Sequence, residues 1–253
     1  MDISIGYIVL LVSTGFIAGI INVLAGGGTN LTLPALMVMG MPADIANATN
    51  RVGVLLQSIV ALLGFHKHDK IPTQDVGPVL VPTIIGGVFG ALAAAVAPAG
   101  ILKPLLLGSM LLMTTIMLVK PSVVFPPTGE QPRHVKDTPS SWFWLSLAGF
   151  YGGFVQAGVG FILITALAGS LRYDLVRTNA LKVVCVTAFS GMALAVFIAQ
   201  GLVSWVPGLI LAAGTMVGAH IAVKFAISAK PSTLKWFLFV MTLVGTVAAY
   251  VFD

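Results

Sequence analysis

The sequence predicts an all-α polytopic membrane protein with two inverted repeats, about eight full spans and two short broken helices. Three observations predict this fold: an apolar composition, a series of apolar runs of spanning length, and an internal repeat. Of the 253 residues, 58% are hydrophobic and 8% are charged, and the mean hydropathy is +1.04. Soluble domains carry about 25% charged residues, so we expect a lipid bilayer to surround this chain.

The apolar runs define the predicted spans. A crossing helix needs about 20 apolar residues. The predicted spans are 5–25, 45–65, 77–97, 102–119, 142–160, 176–199, 205–226 and 233–251. Two more apolar runs, 29–40 and 161–170, are too short to cross as ordinary helices, and each follows a glycine-rich break. No basic segment precedes the first run, so it is predicted to be a retained span.

The second half of the chain repeats short motifs of the first half in the same order. The matches are GFIAG (15–19) with GFYGG (149–153), AGGG (25–28) with AGVG (157–160), NATN (47–50) with NALK (179–182), GGVFGA (86–91) with GTMVGA (214–219), and LK (102–103) with LK (234–235). A polar linker lies between the halves. The sequence therefore predicts a first repeat at 1–119, a cytoplasmic linker at 120–141 and a second repeat at 142–253.

Loop charges predict that the second repeat is inverted. The loop HKHDK at 66–70 is basic, whereas its counterpart QGLVSW at 200–205 carries no charge. Because cytoplasmic loops collect lysine and arginine, equivalent loops are expected on opposite sides of the membrane. Five membrane passes per repeat, counting the short ones, would give this inversion. The periplasm then holds the N-terminus, and the predicted cytoplasmic segments are 66–76, 120–141, 171–177 and 227–232.

The break AGGGTN at 25–30 is costly in a helix, since each glycine costs about 1 kcal/mol relative to alanine. A helix that stops inside a bilayer also leaves backbone groups that hydrocarbon cannot pair. The amides at the start of a following helix form an anion site, and glycine allows an anion to approach them. The alternative is that the glycines permit close helix crossing, as predicted for the nearby GxxxG spacings.

Polar side chains near the two breaks complete the predicted site. Asn22 and Gln156 occupy matched positions about one turn before their breaks. One cation in each half, Arg51 or Lys182, follows the short apolar run, and a guanidinium can hold an oxyanion through two parallel hydrogen bonds. The alternative is that the two cations reach the membrane interfaces as topology anchors. The predicted substrate-binding residues are Asn22, Gly26, Gly27, Gly28, Thr29, Asn47, Asn50, Arg51, Gln156, Gly158, Gly160, Asn179 and Lys182.

Other functional classes lack support in the sequence. The acidic residues lie at termini, in loops or at span edges, which disfavours a cation site built on carboxylates. His66 and His68 sit in a charged loop, where solvated side chains are expected rather than a metal site. Neither a phosphate loop nor a catalytic triad is present, and the basic residues form no nucleic-acid-binding face. We therefore predict no enzyme, no cofactor, no bound metal and no nucleic-acid partner.

Two stretches resemble a known family of membrane permeases. GFIAGIINVLAGGGTNLTLPALMVMG with ANATNRVGVLLQS, and GFYGGFVQAGVGFILITAL with RTNALKVV, are similar to the sulfite exporter TauE/SafE family. The resemblance implies transport of a small sulfur-containing oxyanion, such as sulfite or an organosulfonate, across a bacterial inner membrane. Two readings from other classes stay open: a passive anion channel that uses the same cationic lining, and a non-transporting membrane scaffold.

Overall fold

The computed structural model describes residues 4–98 and 131–228, together with residues 100, 101, 104, 105 and 108. These residues form helices joined by short loops, and no strand occurs among them. The α-helices are α1 (Ile5–Leu24), α2 (Thr29–Val38), α3 (Ala43–Lys67), α4 (Thr73–Val96), α5 (Pro139–Phe154), α6 (Val159–Ile164), α7 (Leu175–Ala199) and α8 (Trp205–Ser228). A π-helical segment, Thr165–Ser170, continues α6, and a 3-10 turn, Val135–Asp137, precedes α5.

Five of the described helices are long and apolar enough to cross a membrane: α1, α3, α4, α7 and α8. Their bounds agree with the predicted spans to within a few residues. The two predicted short segments are also present, as α2 and as α6 with its π-helical continuation. The predicted span 142–160 is wrong as a continuous helix, because α5 ends at Phe154 and the second break follows. Most of the predicted span 102–119 and all of 233–251 lie outside the described residues.

Helices α1, α3 and α8 run parallel to one another. Gly15 of α1 lies against Leu211 of α8, and Gly19 lies against Thr215, so the contacts advance along both helices in the same sense. The corresponding pairs between α3 and α8 are Gly53 with Leu211 and Gly64 with Val223. A Cβ atom on Gly15 or Gly19 would collide with the α8 backbone, so these GxxxG glycines permit close crossing, as predicted.

Helices α4, α5 and α7 form a second parallel group. Gly149 of α5 lies against Thr83 of α4, and Gly153 lies against Gly87. The pairs between α4 and α7 are Thr83 with Cys185 and Gly87 with Phe189. This group repeats the arrangement of α8 with α1 and α3, using helices from the other half of the chain.

The two groups are antiparallel where α3 meets α7. The Arg51 guanidinium lies 5.7 Å from the centre of the Phe197 ring, and Leu55 approaches Gly191. The contacts therefore move towards the start of α7 as they move towards the end of α3. Since α1 and α3 are parallel, the chain reverses direction in α2, and it does so again between α5 and α7. A helix of 10 residues such as α2 extends only about 15 Å, half of the hydrocarbon core.

Large apolar side chains cover much of the outer surface. Ile5 is 81% exposed, Phe89 is 64% exposed and Leu63 is 62% exposed. The buried residues beside the breaks include the apolar side chains of Ile21 and Phe161 and the polar side chains of Arg51, Gln156 and Lys182. An apolar exterior around a partly polar interior is the distribution that a bilayer requires.

Candidate functional site

The two breaks share one pattern of backbone hydrogen bonds. At the end of α1, the amides of Ala25 and Gly26 donate to the Ile21 carbonyl at 2.7 and 2.8 Å; at the end of α5, the amides of Val155 and Gln156 donate to Tyr151 at 2.8 and 3.0 Å. The φ angle is +93° at Gly26 and +68° at Gln156. Each helix thus ends by turning through a left-handed residue, which satisfies one of its last carbonyls.

This pattern corrects the predicted pairing of Asn22 with Gln156. The hydrogen bonds place Gln156 at the position of Gly26, within the break, whereas Asn22 lies inside α1. A left-handed conformation costs a residue with a side chain about 1–2 kcal/mol. Such strain persists where the surroundings fix it, and it concentrates at functional sites. Gln156 is therefore a stronger candidate than its sequence position alone suggests.

The glycines of the breaks allow close packing of backbone segments more than contact with an anion. Gly26 and Gly160 pack backbone against backbone, and a Cβ atom on either would collide with the other. A Cβ atom on Gly28 would collide with the Ala18 carbonyl. The Gly28 amide is already occupied, because it donates to Asn22 Oδ1 at 2.8 Å. The prediction that the Gly28 amide is open to an anion is therefore wrong, and the packing alternative holds for these three glycines.

Arg51 holds the broken end of α5. Its guanidinium donates to the carbonyls of Gly152 and Gly153, the second at 2.9 Å. One turn earlier on α3, Asn47 Nδ2 donates to the Phe154 carbonyl at 3.1 Å. These carbonyls belong to the last turn of α5, where no intrahelical partner exists. Arg51 is fully buried, so it is not an interface anchor, and its fork-like donors point to backbone oxygens.

Lys182 holds the broken end of α1 in the same way. Its Nζ atom donates to the Val23 carbonyl and to Asn179 Oδ1, both at 2.8 Å. The side chain is 1% exposed, so Lys182 is not an interface anchor either. Each half of the chain therefore supplies one cation that caps a helix end of the other half, where the helix dipole favours positive charge.

A small cavity of about 20 Å³ lies between the breaks. That volume holds about one water molecule. Six of the predicted site residues line it: Asn22, Gly26, Thr29, Gln156, Gly160 and Lys182. The other lining residues are Val23, Val54, Gln57, Ser58, Val159, Val183 and Val186. Among the residues that the structure describes, Lys182 is the only charged residue of this lining, and no carboxylate belongs to it.

Several polar atoms beside the cavity have no hydrogen-bond partner among the described residues. They are Asn22 Nδ2, Gln57 Oε1 and Gln156 Oε1. The Gln156 side chain is fixed from the other side, because its Nε2 atom donates to Ser190 Oγ at 2.9 Å. Buried polar groups are normally paired, so three uncommitted atoms around one cavity indicate a place for a polar ligand.

The remaining predicted residues do not line the cavity. They are Gly27, Gly28, Asn47, Asn50, Arg51, Gly158 and Asn179. Asn50 Oδ1 accepts a hydrogen bond from Thr32 at 2.7 Å, which ties α3 to α2. Gly158 has a φ of +76° and begins α6. Asn179 reaches the cavity only through Lys182. These residues shape the breaks rather than the cavity surface.

Gln57 and Ser58 are lining residues that the sequence analysis missed. They interrupt the apolar run LLQSIVALL at 55–63, and Gln57 is 2% exposed. A polar pair inside a span is expensive, so its presence marks a functional position. That signal was readable from the sequence.

Comparisons with known proteins agree on a class of membrane protein. The sequence model of the family described as sulfite exporter TauE/SafE matches residues 11–249. A "Probable membrane transporter protein" of Haemophilus influenzae is 27% identical over 258 residues, covering 100% of this chain and 98% of its own. A Sinorhizobium protein called "Probable membrane transporter protein ORF9" is 26% identical, covering 96% of this chain and 92% of its own. Escherichia coli K12 contributes "Probable membrane transporter protein YfcA", 27% identical over 93% of this chain and 86% of its own.

Proposed function

The chain belongs to the sulfite exporter TauE/SafE family of multi-pass membrane transporters, and on that premise we propose that it is a secondary transporter of a small sulfur-containing oxyanion, such as sulfite or an organosulfonate. One observation carries the choice of an anion. Among the described residues, Lys182 is the only charged residue lining the cavity, and the partnerless donor Asn22 Nδ2 belongs to the same lining.

The chemistry of the lining suits an oxyanion. An ammonium group has three N–H donors, and Lys182 uses two of them on Val23 and Asn179. The third remains for a ligand. Thr29 and Ser58 add hydroxyl donors to the same lining, and charge-assisted hydrogen bonds to an oxyanion are the strong ones. A cation would meet Lys182 without any carboxylate to compensate the repulsion.

The cavity size indicates a closed conformation. Room for about one water molecule is too little for an anion with three or more oxygen atoms. Substrate entry therefore requires the helices around the cavity to separate, first on one side of the membrane and then on the other. The contact of Gly26 with Gly160 lies where such a movement would begin.

The proposed architecture is two inverted repeats with about eight full spans and two short broken helices. Its support is the opposite direction of α3 and α7, and of the two helix groups to which they belong. The equal hydrogen bonding of the two breaks and the reciprocal capping by Arg51 and Lys182 point the same way. Broken helices that meet near the midplane are a recurring plan of secondary transporters. We place the protein in a bacterial inner membrane, with the N-terminus in the periplasm.

Cysteine labelling tests this topology. In a Cys185→Ser background, Lys67→Cys and Gln200→Cys put single thiols at exposed positions, at the last residue of α3 and directly after α7. Because α3 and α7 run antiparallel, a membrane-impermeant maleimide added outside should label position 200 and spare position 67. Labelling of both after permeabilisation controls for reactivity. If both label equally from outside, the inverted arrangement is wrong.

Transport itself is tested in proteoliposomes loaded with ³⁵S-labelled sulfite or methanesulfonate. A secondary transporter predicts flux that saturates with anion concentration and that unlabelled anion on the same side reduces by competition. A passive channel predicts flux that follows voltage without saturation or competition. A scaffold predicts no flux above empty liposomes, and that result for both anions would remove the proposed function.

A further inference from the structure

The buried charge of Lys182 affects how the empty binding site changes sides of the membrane. The side chain is buried to 1% exposure, and its two acceptors, Val23 O and Asn179 Oδ1, are both neutral oxygens. A buried charge needs a counter-charge or full hydrogen bonding to be stable. Here the protein supplies two neutral acceptors for three donors.

No carboxylate approaches Lys182 from the described helices that pack around it. Helices α1, α2 and α6 contain no charged residue. On α3, Asp44 is 13 residues from the lining residue Gln57, about 20 Å along the helix axis. Asp174 is eight residues before Lys182, about 12 Å, and it caps the first amides of α7 and pairs with Arg177. The other charged groups of α3 and α8 are Arg51, held on α5, and the exposed Lys67, His66, His220 and Lys224.

We propose that this protein works as an anion exchanger, because its site can change sides easily only while an anion neutralises Lys182. This inference rests on the proposed transport function. With a monovalent anion bound, the closed site carries no net charge. Without it, the closed site carries one positive charge among apolar walls and neutral dipoles. The empty site must therefore pass a higher barrier than the loaded site when it changes sides.

An anion exchanger is expected to release its anion faster when anion is present on the other side of the membrane. If the unpaired charge raises the barrier for the return of the empty site by as much as the loss of one partner of a buried charge pair weakens binding, that return slows by about 30-fold or more. Efflux of ³⁵S-methanesulfonate from proteoliposomes into medium with unlabelled methanesulfonate should therefore exceed efflux into anion-free medium by about that factor. An inside-negative potential, set with valinomycin and potassium, should accelerate efflux into anion-free medium, because it draws the empty positive site inward. It should not change efflux into medium with unlabelled methanesulfonate. Asn179→Asp should reduce the ratio of the two efflux rates. It places a carboxylate of the protein itself where Asn179 Oδ1 lies 2.8 Å from Lys182 Nζ.

The outcomes separate the exchange mode from transport in general. Equal rates with and without external anion in the wild type would overturn exchange while leaving transport intact. A second result would also overturn exchange: net efflux in which one proton leaves with each anion and the potential has no effect. Lys182 would then lose its proton before the empty site returns, so that the empty site would be neutral. An absence of methanesulfonate and sulfite flux in every mode would instead remove the proposed function. The wild-type ratio decides the question even if Asn179→Asp does not fold.

Discussion

Replacing Arg51 with glutamine should leave much less folded protein, while the protein that does fold should bind anion nearly as the wild type does. The substitution removes both donors from the carbonyls of Gly152 and Gly153. Each buried acceptor left without a partner costs about 1–3 kcal/mol, so the loss of stability should be about 2–6 kcal/mol. The measurements are the amount of monodisperse protein extracted from membranes and its thermal unfolding midpoint in detergent.

Two further variants serve as controls for the effect of Arg51→Gln. Arg177→Gln removes an arginine that is exposed and pairs only with Asp174 at the start of α7, and a surface pair of this kind contributes about 0–1 kcal/mol. It should behave as the wild type. Arg51→Lys keeps the charge but offers no planar fork, so it should lie between the wild type and Arg51→Gln. A normally folded Arg51→Gln protein without anion affinity would instead support the direct contact that the sequence predicted.

The long helices were predictable because the bilayer fixes their length. About 20 apolar residues are needed to cross, and the runs at 45–65 and 77–97 appear as α3 and α4, each extended by a few residues. The breaks were predictable for a different reason, since consecutive glycines are poor helix formers. In contrast, the end of α5 was not predictable. The second break was expected at the glycines of AGVG (157–160), whereas the helix already ends at Phe154, before Val155 and Gln156, which are not helix breakers by composition.

The correct alignment of the two halves of the chain could not be determined from the sequence alone. AGGG and AGVG match by their glycines, and a run of glycines can be aligned at several offsets. The hydrogen bonds instead align Gly26 with Gln156, an offset of 130 residues (156 − 26), whereas the matched motifs give 132 (157 − 25). The predicted pairing of Gln156 with Asn22 corresponds to an offset of 134 (156 − 22), four residues away from the offset that the hydrogen bonds give.

The roles of Arg51 and Lys182 depend on packing between the halves. From the sequence, both are cations near a break, and the prediction made both of them direct anion ligands. Their actual acceptors are carbonyls more than 100 residues away, Gly153 for Arg51 and Val23 for Lys182, and no local pattern specifies such contacts. Only Lys182 also lines the cavity. We therefore expect Arg51 to position the end of α5 and Lys182 to be the charge available to a ligand.

Lys182→Gln should weaken anion binding by about 30-fold or more. The substitution removes the only charge of the cavity lining, and losing the partner of a buried hydrogen-bonded charge costs on the order of 2–5 kcal/mol, at about 1.4 kcal/mol per factor of ten in affinity. A ligand that binds only the folded state raises the unfolding temperature. Sulfite should therefore stabilise the wild type in detergent and have almost no effect on Lys182→Gln at the same concentration.

The effect on folding should be smaller than that of Arg51→Gln, since Lys182 caps one carbonyl of α1 and a glutamine amide can still donate one hydrogen bond there. This difference separates binding from stability: Arg51→Gln lowers the yield, and Lys182→Gln lowers the response to sulfite per folded molecule. Lys224→Gln, which removes an exposed lysine of α8, should change neither quantity. If Lys182→Gln keeps the wild-type response, the anion does not use this ammonium group. The partnerless donor Asn22 Nδ2 and the hydroxyl groups of Thr29 and Ser58 would then be the donors left to bind the anion.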